Sequence, residues 1–397
     1  MPSVLNPGAI FLPKEDYMDI RLLDYTIGTI LPAVSSETIP EGVKDIYAGA
    51  MWDRGHTGND VVVAVLDTGC YAHPDLQGQI IGGRNFTTDY AGDPNNFSDN
   101  HFHGTHVAGT IAGVKGNGIG VIGVAPNVKL LVLKVLESDG SGGVYNIIRA
   151  IDYAIAWRGP QGQQVRVISM SLGALFAPQD LHEAIKRADA ADIAIVCASG
   201  NIGDGNGDTD EINYPAYYPE VIAVGAYDFW GGVAPFSNSN NQIDLVAPGV
   251  NILSTDNTGG YVYASGTSMA APHVAGALAL IANKLDKAYG NRATSRELYE
   301  ELINRNTILL DVVSTLQGYG SLRFIGAVDV PIKKIKIADV DFEQALTWLG
   351  APERRMFNTL DYWRNNAVKG KTVRGEYMRE ALIKIYIVQA LGAKVDE

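Results

Sequence analysis

Five stretches of β-branched and aliphatic residues each run into a glycine or a polar residue. They are VVVAVLDTG (61–69), VRVISMSLG (165–173), IAIVCASGN (193–201), VIAVGAYD (221–228) and IDLVAPG (243–249). Continuous apolar runs of this kind suit strands buried on both faces, whereas a sheet wetted on one side alternates apolar with polar. Helical patterns such as VYNIIRAIDYAIAW and QDLHEAIKRADA lie between several of them. The combination predicts an α/β fold with a mostly parallel central sheet and helices on both faces. Ligands of such sheets bind beyond the carboxyl ends of the strands. Asp67, the Ser171-Leu172-Gly173 stretch and the Ser199-Gly200-Asn201 stretch fall at those ends.

This pattern fills residues 39–330. Residues 1–38 carry Pro2, Pro7, Pro13 and Pro32 between short apolar clusters, which predicts an extended arm and not a domain. Residues 331–397 change character. Phe342, Ala345, Leu346 and Leu349 recur at helical spacing, as do Met378, Ala381, Leu382 and Ile385. They predict a small helical appendage, and its Trp348 and Trp363 suit a protein-binding role as well as simple packing. The net charge is −13, and the appendage is slightly basic, so the acidity lies in the rest of the chain. That balance argues against nucleic acid or an anionic membrane as a partner. Two cysteines, Cys70 and Cys197, make a disulfide framework improbable and permit a reducing compartment. The first residues lack a basic segment followed by an apolar one, and no run has membrane-spanning length, so the expected location is cytoplasmic.

Three short motifs carry chemistry: Asp67-Thr68-Gly69 at a strand end, HGTHVAG (103–109) and GTSMAAPHVAG (266–276). Ser268 opens a long apolar helix, where free N–H groups and the helix dipole favour negative charge. Small neighbours, Gly266, Ala270 and Ala271, let a peptide backbone come close, and Pro272 is expected in the first helical turn. A serine at a helix start is most often only a cap. Acyl transfer requires in addition a base and a carboxylate that fixes the base's tautomer. His103 and Asp67 are residues of the right type.

The order Asp, His, Ser and the wording of all three motifs resemble the subtilisin-type serine proteases, the subtilases, over residues 39–330. The resemblance implies a serine endopeptidase acting on extended polypeptides through an acyl-enzyme. It makes Ser268 the nucleophile, His103 the base and Asp67 the orienting carboxylate. Asn201 becomes an oxyanion donor, though an asparagine there also suits a turn cap. His106, one turn beyond His103, is a helix histidine by the same comparison. Gly140, Ser141 and Gly142, with Ser171, Leu172 and Gly173, resemble the two strands that flank a bound peptide. Ala198, Ser199 and Gly200 resemble the wall of the pocket for the residue before the cut bond. Ile202 stands where many relatives carry glutamate. Tyr214-Pro215 resembles a cis-proline site.

The resemblance also implies calcium. VKGNGIGVIGVAP (114–126) is similar to the family's calcium loop, which makes Asp75, Asn117 and the carbonyls of Val114, Ile119 and Val121 ligands, with Glu37 beside them. A second cation set would be the carbonyls of Ala216, Tyr218 and Val221 with Asp244. Asp204, Asn206, Asp208 and Asp210 alternate as calcium ligands do, yet Thr209 stands where an EF-hand needs glycine, so the loop reads equally as a solvated acidic turn. His101, His103 and His106 do not have a common zinc spacing. The absence of a secretion signal, the acidity and the cysteine count match the intracellular branch of the family. So does Asp19-Ile20-Arg21-Leu22-Leu23-Asp24-Tyr25, similar to that branch's Leu-Ile-Pro-Tyr motif. In that branch the N-terminal extension blocks the active site until it is cut, and the proteins tend to be homodimers. Asp24 replaces the branch's proline, which implies an extension that still inhibits but is cut more easily. An aspartic protease needs two Asp-Thr-Gly motifs or a dimer of one, and an inactive homologue would not need the full triad.

Overall fold

The structure is a computed structural model that describes residues 19–32, 36–229 and 231–324. The helical appendage expected at 331–397 and the first part of the arm lie outside the described residues. The strands are β1 (Asp19–Leu22), β2 (Thr26–Leu31), β3 (Val62–Asp67), β4 (Ile80–Asn85), β5 (Lys129–Lys134), β6 (Ser141–Gly143), β7 (Val165–Met170), β8 (Leu172–Gly173), β9 (Ala194–Ala198), β10 (Ile222–Tyr227), β11 (Ile243–Pro248), β12 (Ile252–Thr255), β13 (Tyr261–Ser265), β14 (Thr307–Ile308) and β15 (Ser321–Leu322). The helices are α1 (Glu41–Asp45), α2 (Ala48–Trp52), α3 (His103–Ala112), α4 (Val144–Ala156), α5 (Gln179–Ala190), α6 (Thr267–Tyr289), α7 (Ser295–Arg305) and α8 (Ser314–Gln317).

Nine strands form the central sheet in the order β14-β15-β11-β10-β9-β7-β3-β5-β4. All neighbours pair parallel except the edge pair β14 and β15. The five apolar runs read from the sequence contain β3, β7, β9, β10 and β11, five adjacent strands of this sheet. Their continuity has a direct cause. In β3, Val63 and Val65 join a core shared with α3 and α6, while Val62, Ala64 and Leu66 join a second core shared with α4 and α5. Side chains alternate across a strand, so a strand with a core on each face has no position left for a polar residue.

The arm is more ordered than the sequence suggests. β1 lies antiparallel between β6 and β8, and β2 adds antiparallel to β13 of a separate three-stranded sheet. Ile20, in the middle of β1, is completely buried in the core that contains Leu136, Val144 and Leu172. Among the described residues no helix is long and apolar enough to cross a membrane.

Candidate active site

Asp67 is the last residue of β3 and His103 the first of α3, and Thr68 ties the two together. The Asp67 Oδ1 accepts from the Thr68 N–H at 2.7 Å and from His103 Nδ1 at 2.8 Å. A carboxylate can only accept, so Nδ1 carries the proton and Nε2 presents a lone pair. Nε2 is buried and has no partner, which leaves it available as a base. The Thr68 hydroxyl accepts from the Gly104 N–H at 2.9 Å and fixes the first turn of α3 against the end of β3. Gly104 is required there, because a Cβ would collide with the Gly69 carbonyl.

Ser268 is the second residue of α6 and is fully buried. The helix contains a break that the sequence reading misplaced. Pro272 is the sixth helical residue, beyond the first turn, and its missing N–H would have bonded the Ser268 carbonyl. The Ser171 hydroxyl takes its place, donating to that carbonyl at 2.9 Å. The Ser268 hydroxyl in turn faces the Ser171 carbonyl at 3.4 Å, a long contact, and not His103.

Asn201 is held by its oxygen, which accepts from the Thr267 N–H and the Thr267 hydroxyl, both at 2.8 Å. Its amide nitrogen is thereby aimed outward, and it donates to the carbonyl of Asp24. Gly266 makes room for this meeting. A Cβ there would stand 3.1 Å from Asn201 Nδ2 and 3.5 Å from the Asp24 oxygen. The peptide arrives from β1, whose partners are Ser141, Gly142 and Gly143 on one side and Leu172 and Gly173 on the other. The Leu22 N–H also donates to the Gly140 carbonyl at 2.9 Å. Leu23 is buried against Gly173. Ala198 and Ser199 are buried at the end of β9, followed by Gly200 at positive φ. Tyr25 then packs its ring near His103, with centroids 5.7 Å apart. Asp67, His103, Ser268, Asn201 and both flanking segments are thus brought to one cleft, and a segment of the same chain lies in it. The Tyr214-Pro215 peptide is cis.

Two residues of the site were missed in the sequence. Asp99, buried before α3, accepts from five donors: the Thr68 hydroxyl, the N–H groups of His101 and Phe102, and the N–H and hydroxyl of Thr105. It caps α3 from outside the helix and holds Phe102 at a φ of 130°, a strained value for a side-chain-bearing residue, directly before His103. Lys134 is fully buried, and its ammonium donates to the carbonyls of Thr68 and Leu136 and to Asn100, and pairs with Asp89 at 2.9 Å. The sequence clue was a lysine closing an otherwise apolar strand.

The other histidines separate. His106 Nε2 meets the Ile252 carbonyl at 3.0 Å, and burial pushes its pKa down to about 3, so it is neutral and occupied. His101 meets the Tyr25 hydroxyl at 3.2 Å. Both cysteines are buried and free, and burial raises both thiols, Cys197 up to about 12.

Asp75 is buried beside the 114–121 loop. Its oxygens accept from the Asn117 amide at 2.7 Å and the Val121 N–H at 2.6 Å, and Tyr261 also bonds it. Burial, with the charge of Glu37 adding to it, raises its pKa to about 6. Glu37 accepts from the N–H groups of Gly116 and Asn117. At the second position, Asp244 spends one oxygen on the Tyr299 hydroxyl at 2.6 Å and the other on the Ala223 N–H at 2.8 Å, and the Tyr218 carbonyl accepts from Val221. Both oxygens of Asp244 are thus hydrogen-bonded in this form, as both oxygens of Asp75 are at the first position. The 204–210 loop closes on itself, with Asp204 accepting from Asn206 N–H and the Thr209 hydroxyl. Among the described residues no group of three His, Cys, Asp or Glu side chains could hold a metal.

The profile of the subtilase family matches residues 58–320, more than half of the chain. The chain belongs to the subtilase family. It is a subtilisin-type serine endopeptidase. An intracellular serine protease of Paenibacillus polymyxa is 52% identical over 292 residues, 73% of this chain and 86% of the relative. The major intracellular serine protease of Bacillus subtilis is 47% identical over 306 residues, 77% and 93% of the two chains. Subtilisin E of the same species is 43% identical over 250 residues, 63% and 62%.

Proposed function

We propose that this subtilase cuts extended polypeptide with Ser268 as nucleophile, and that its own N-terminal segment occupies the cleft in the form described. The observation that carries the reading is the Asn201 amide bonded to the Asp24 carbonyl, with β1 paired on both sides just upstream. A carbonyl so placed is where a reacting substrate carbonyl would develop negative charge. In the reaction, Ser268 Oγ adds to the substrate carbonyl as His103 Nε2 takes its proton. Asp67 holds the tautomer and stabilises the imidazolium. The imidazolium then gives the proton to the leaving amine, and water repeats the sequence on the acyl-enzyme.

The arm fills the cleft in a resting arrangement, because the Ser268 hydroxyl faces Ser171 and His103 Nε2 has no partner. Residues 1–38 are thus an inhibitory extension, 39–330 the catalytic domain and 331–397 an appendage. The fully buried Ile20 marks a pocket for an aliphatic side chain upstream of the cut bond.

Calcium fits the first loop. Asp75 is a buried carboxylate surrounded by neutral donors, with a second carboxylate, Glu37, raising the cost of its charge. Asp75, the Asn117 side chain and the carbonyls of Val114, Ile119 and Val121 form the all-oxygen set that a hard cation takes. Calcium held there would neutralise the charge of Asp75 and would tie the 114–121 loop to Glu37 at the start of the catalytic domain. The names of the relatives support a cytoplasmic setting.

The test is fluorophosphonate labelling followed by intact mass, with calcium and with chelator. A single adduct on Ser268, lost in Ser268→Ala and slowed by several orders of magnitude in His103→Ala, is expected. Labelling that survives Ser268→Ala would overturn the assignment.

A further inference from the structure

The carboxyl end of β3 is held by more than its ladder. The carbonyl of Asp67, its last residue, accepts from the Val135 and Leu136 N–H groups at 2.9 and 3.2 Å. The next carbonyl, that of Thr68, accepts from the Lys134 ammonium at 2.8 Å. Residues 134–136 therefore fix two successive peptide groups beside the carboxylate proposed to orient His103. The other polar groups of Thr68 are also taken. Its N–H donates to Asp67 Oδ1, and its hydroxyl donates to Asp99 and accepts from the Gly104 N–H. The placement of Thr68 thus decides both where the carboxylate points and where α3 begins.

The same ammonium reaches the segment that leads to His103. Lys134 Nζ donates to Asn100 Oδ1 at 2.9 Å, three residues before the histidine. Asn100 Nδ2 donates to Asp89 Oδ2 at 3.0 Å, and that oxygen pairs with Nζ at 2.9 Å, which closes a ring of three side chains. Lys134 is completely buried at the end of an otherwise apolar strand. Burying an ammonium carries a desolvation penalty that an apolar residue there would not have. Without the lysine, β3 and β5 keep their ladder, in which Asp67 lies opposite residue 134. What is lost is the fixed spacing between the end of β3 and the 99–103 segment.

We propose that Lys134 is a positioning residue of the reaction. Its ammonium spans the Thr68 carbonyl and Asn100, and so keeps Asp67 and His103 at hydrogen-bonding distance while the imidazole gains and loses its proton. It acts through Thr68 and Asn100 and not on the reacting atoms. This rests on the protease reading above and extends it to a residue outside the three motifs. Peptide is held by backbone pairing with β6 and β8, which the lysine does not make. Its loss therefore falls on kcat and leaves KM.

The test uses the full-length chain with the recognition sequence of a site-specific protease after Pro32, folded first and then cut there to free the cleft. Lys134→Met should lower kcat on a peptide by at least about tenfold with KM within about twofold, since a 1 Å misplacement relayed to reacting groups costs up to about a hundredfold. Arg166→Met is the comparison. It too removes a buried cation, paired with Asp286 at 3.2 Å, but at the amino end of β7, opposite the strand ends that carry the site. It should lose stability and keep kcat. A second readout avoids turnover. In Ser268→Ala, the proton on His103 Nδ1, buried and shared with Asp67, should give a far low-field proton NMR signal. Lys134→Met should shift or broaden that signal, and Arg166→Met should not. Asn100→Ala changes an exposed side chain and tests the same link with the lysine retained. It should lower kcat about threefold or more, the worth of one hydrogen bond, and add no further loss to Lys134→Met. A loss confined to KM, an unmoved low-field signal, an equal fall of kcat in Arg166→Met, or native kcat in Asn100→Ala overturns the proposal. Absence of both hydrolysis and a fluorophosphonate adduct in the cut chain with Lys134 intact overturns the protease reading instead.

Discussion

Asp99→Asn is the substitution whose cost the structure defines most clearly. Oδ1 of Asp99 accepts three hydrogen bonds, at 2.9 Å from the Thr68 hydroxyl and 2.9 and 3.1 Å from the N–H groups of His101 and Phe102. Oδ2 accepts two from Thr105, at 2.9 Å from the N–H and 2.6 Å from the hydroxyl. An asparagine keeps one oxygen. Turned to serve the first three donors, it points an NH2 at the Thr105 N–H. The Thr105 hydroxyl can rotate and accept, but the backbone N–H is left buried without a partner. The loss is one charge-assisted bond, about 1.5–3 kcal/mol, plus about 1–3 kcal/mol for the stranded donor. The strained Phe102 then loses part of its restraint. The sum is about 2.5–6 kcal/mol. At about 2–4 °C per kcal/mol for domains of this size, Tm should fall by about 10 °C. The assay is thermal unfolding in a Ser268→Ala background, which prevents self-digestion. A shift below about 2 °C would refute the view that this carboxylate holds the β3 to α3 junction. With Ser268 restored, the same variant should label more slowly with fluorophosphonate, because His103 is the next residue after Phe102.

Gly266→Ala places a methyl 3.1 Å from Asn201 Nδ2 and should lower kcat with KM less affected, read by peptide hydrolysis on the cut enzyme. Ser171→Ala leaves the Ser268 carbonyl, freed by Pro272, without its donor and should cost about 1–3 kcal/mol in urea unfolding. His106 is neutral in the fold, with a pKa near 3 against about 6.5 when unfolded. The unfolded chain binds the extra proton, so this residue's contribution is intact above about pH 6.5 and is lost as pH falls toward 3. The stability gap between the native chain and His106→Gln should therefore narrow between pH 7 and pH 4, and a gap independent of pH would contradict the buried neutral state.

The central strands were legible because burial on two faces forces continuous apolar runs. The residues proposed as a triad stood out because they sit in dense local motifs, and the Asp67–His103 hydrogen bond supports that reading. The arm was legible only as an extended chain. β1 and β2 pair with segments more than a hundred residues away, and no local periodicity encodes such partners. Pro272 was placed one turn too early because the donor that compensates for it, Ser171, lies 97 residues before Ser268 in the sequence. Asp99 and Lys134 belong to no recognisable motif, since only the fold brings their donors and acceptors together.

The most direct test of the occupied cleft compares fluorophosphonate labelling rates of the full-length chain and of Ile20→Asp. Ile20 has no exposed surface, and an aspartate there would bury an unpaired charge, so β1 should leave the cleft while the catalytic residues remain untouched. The account predicts that Ser268 of the variant labels at least about tenfold faster than that of the native chain, as expected when several kcal/mol of arm binding are lost. Equal rates in the two proteins would contradict it.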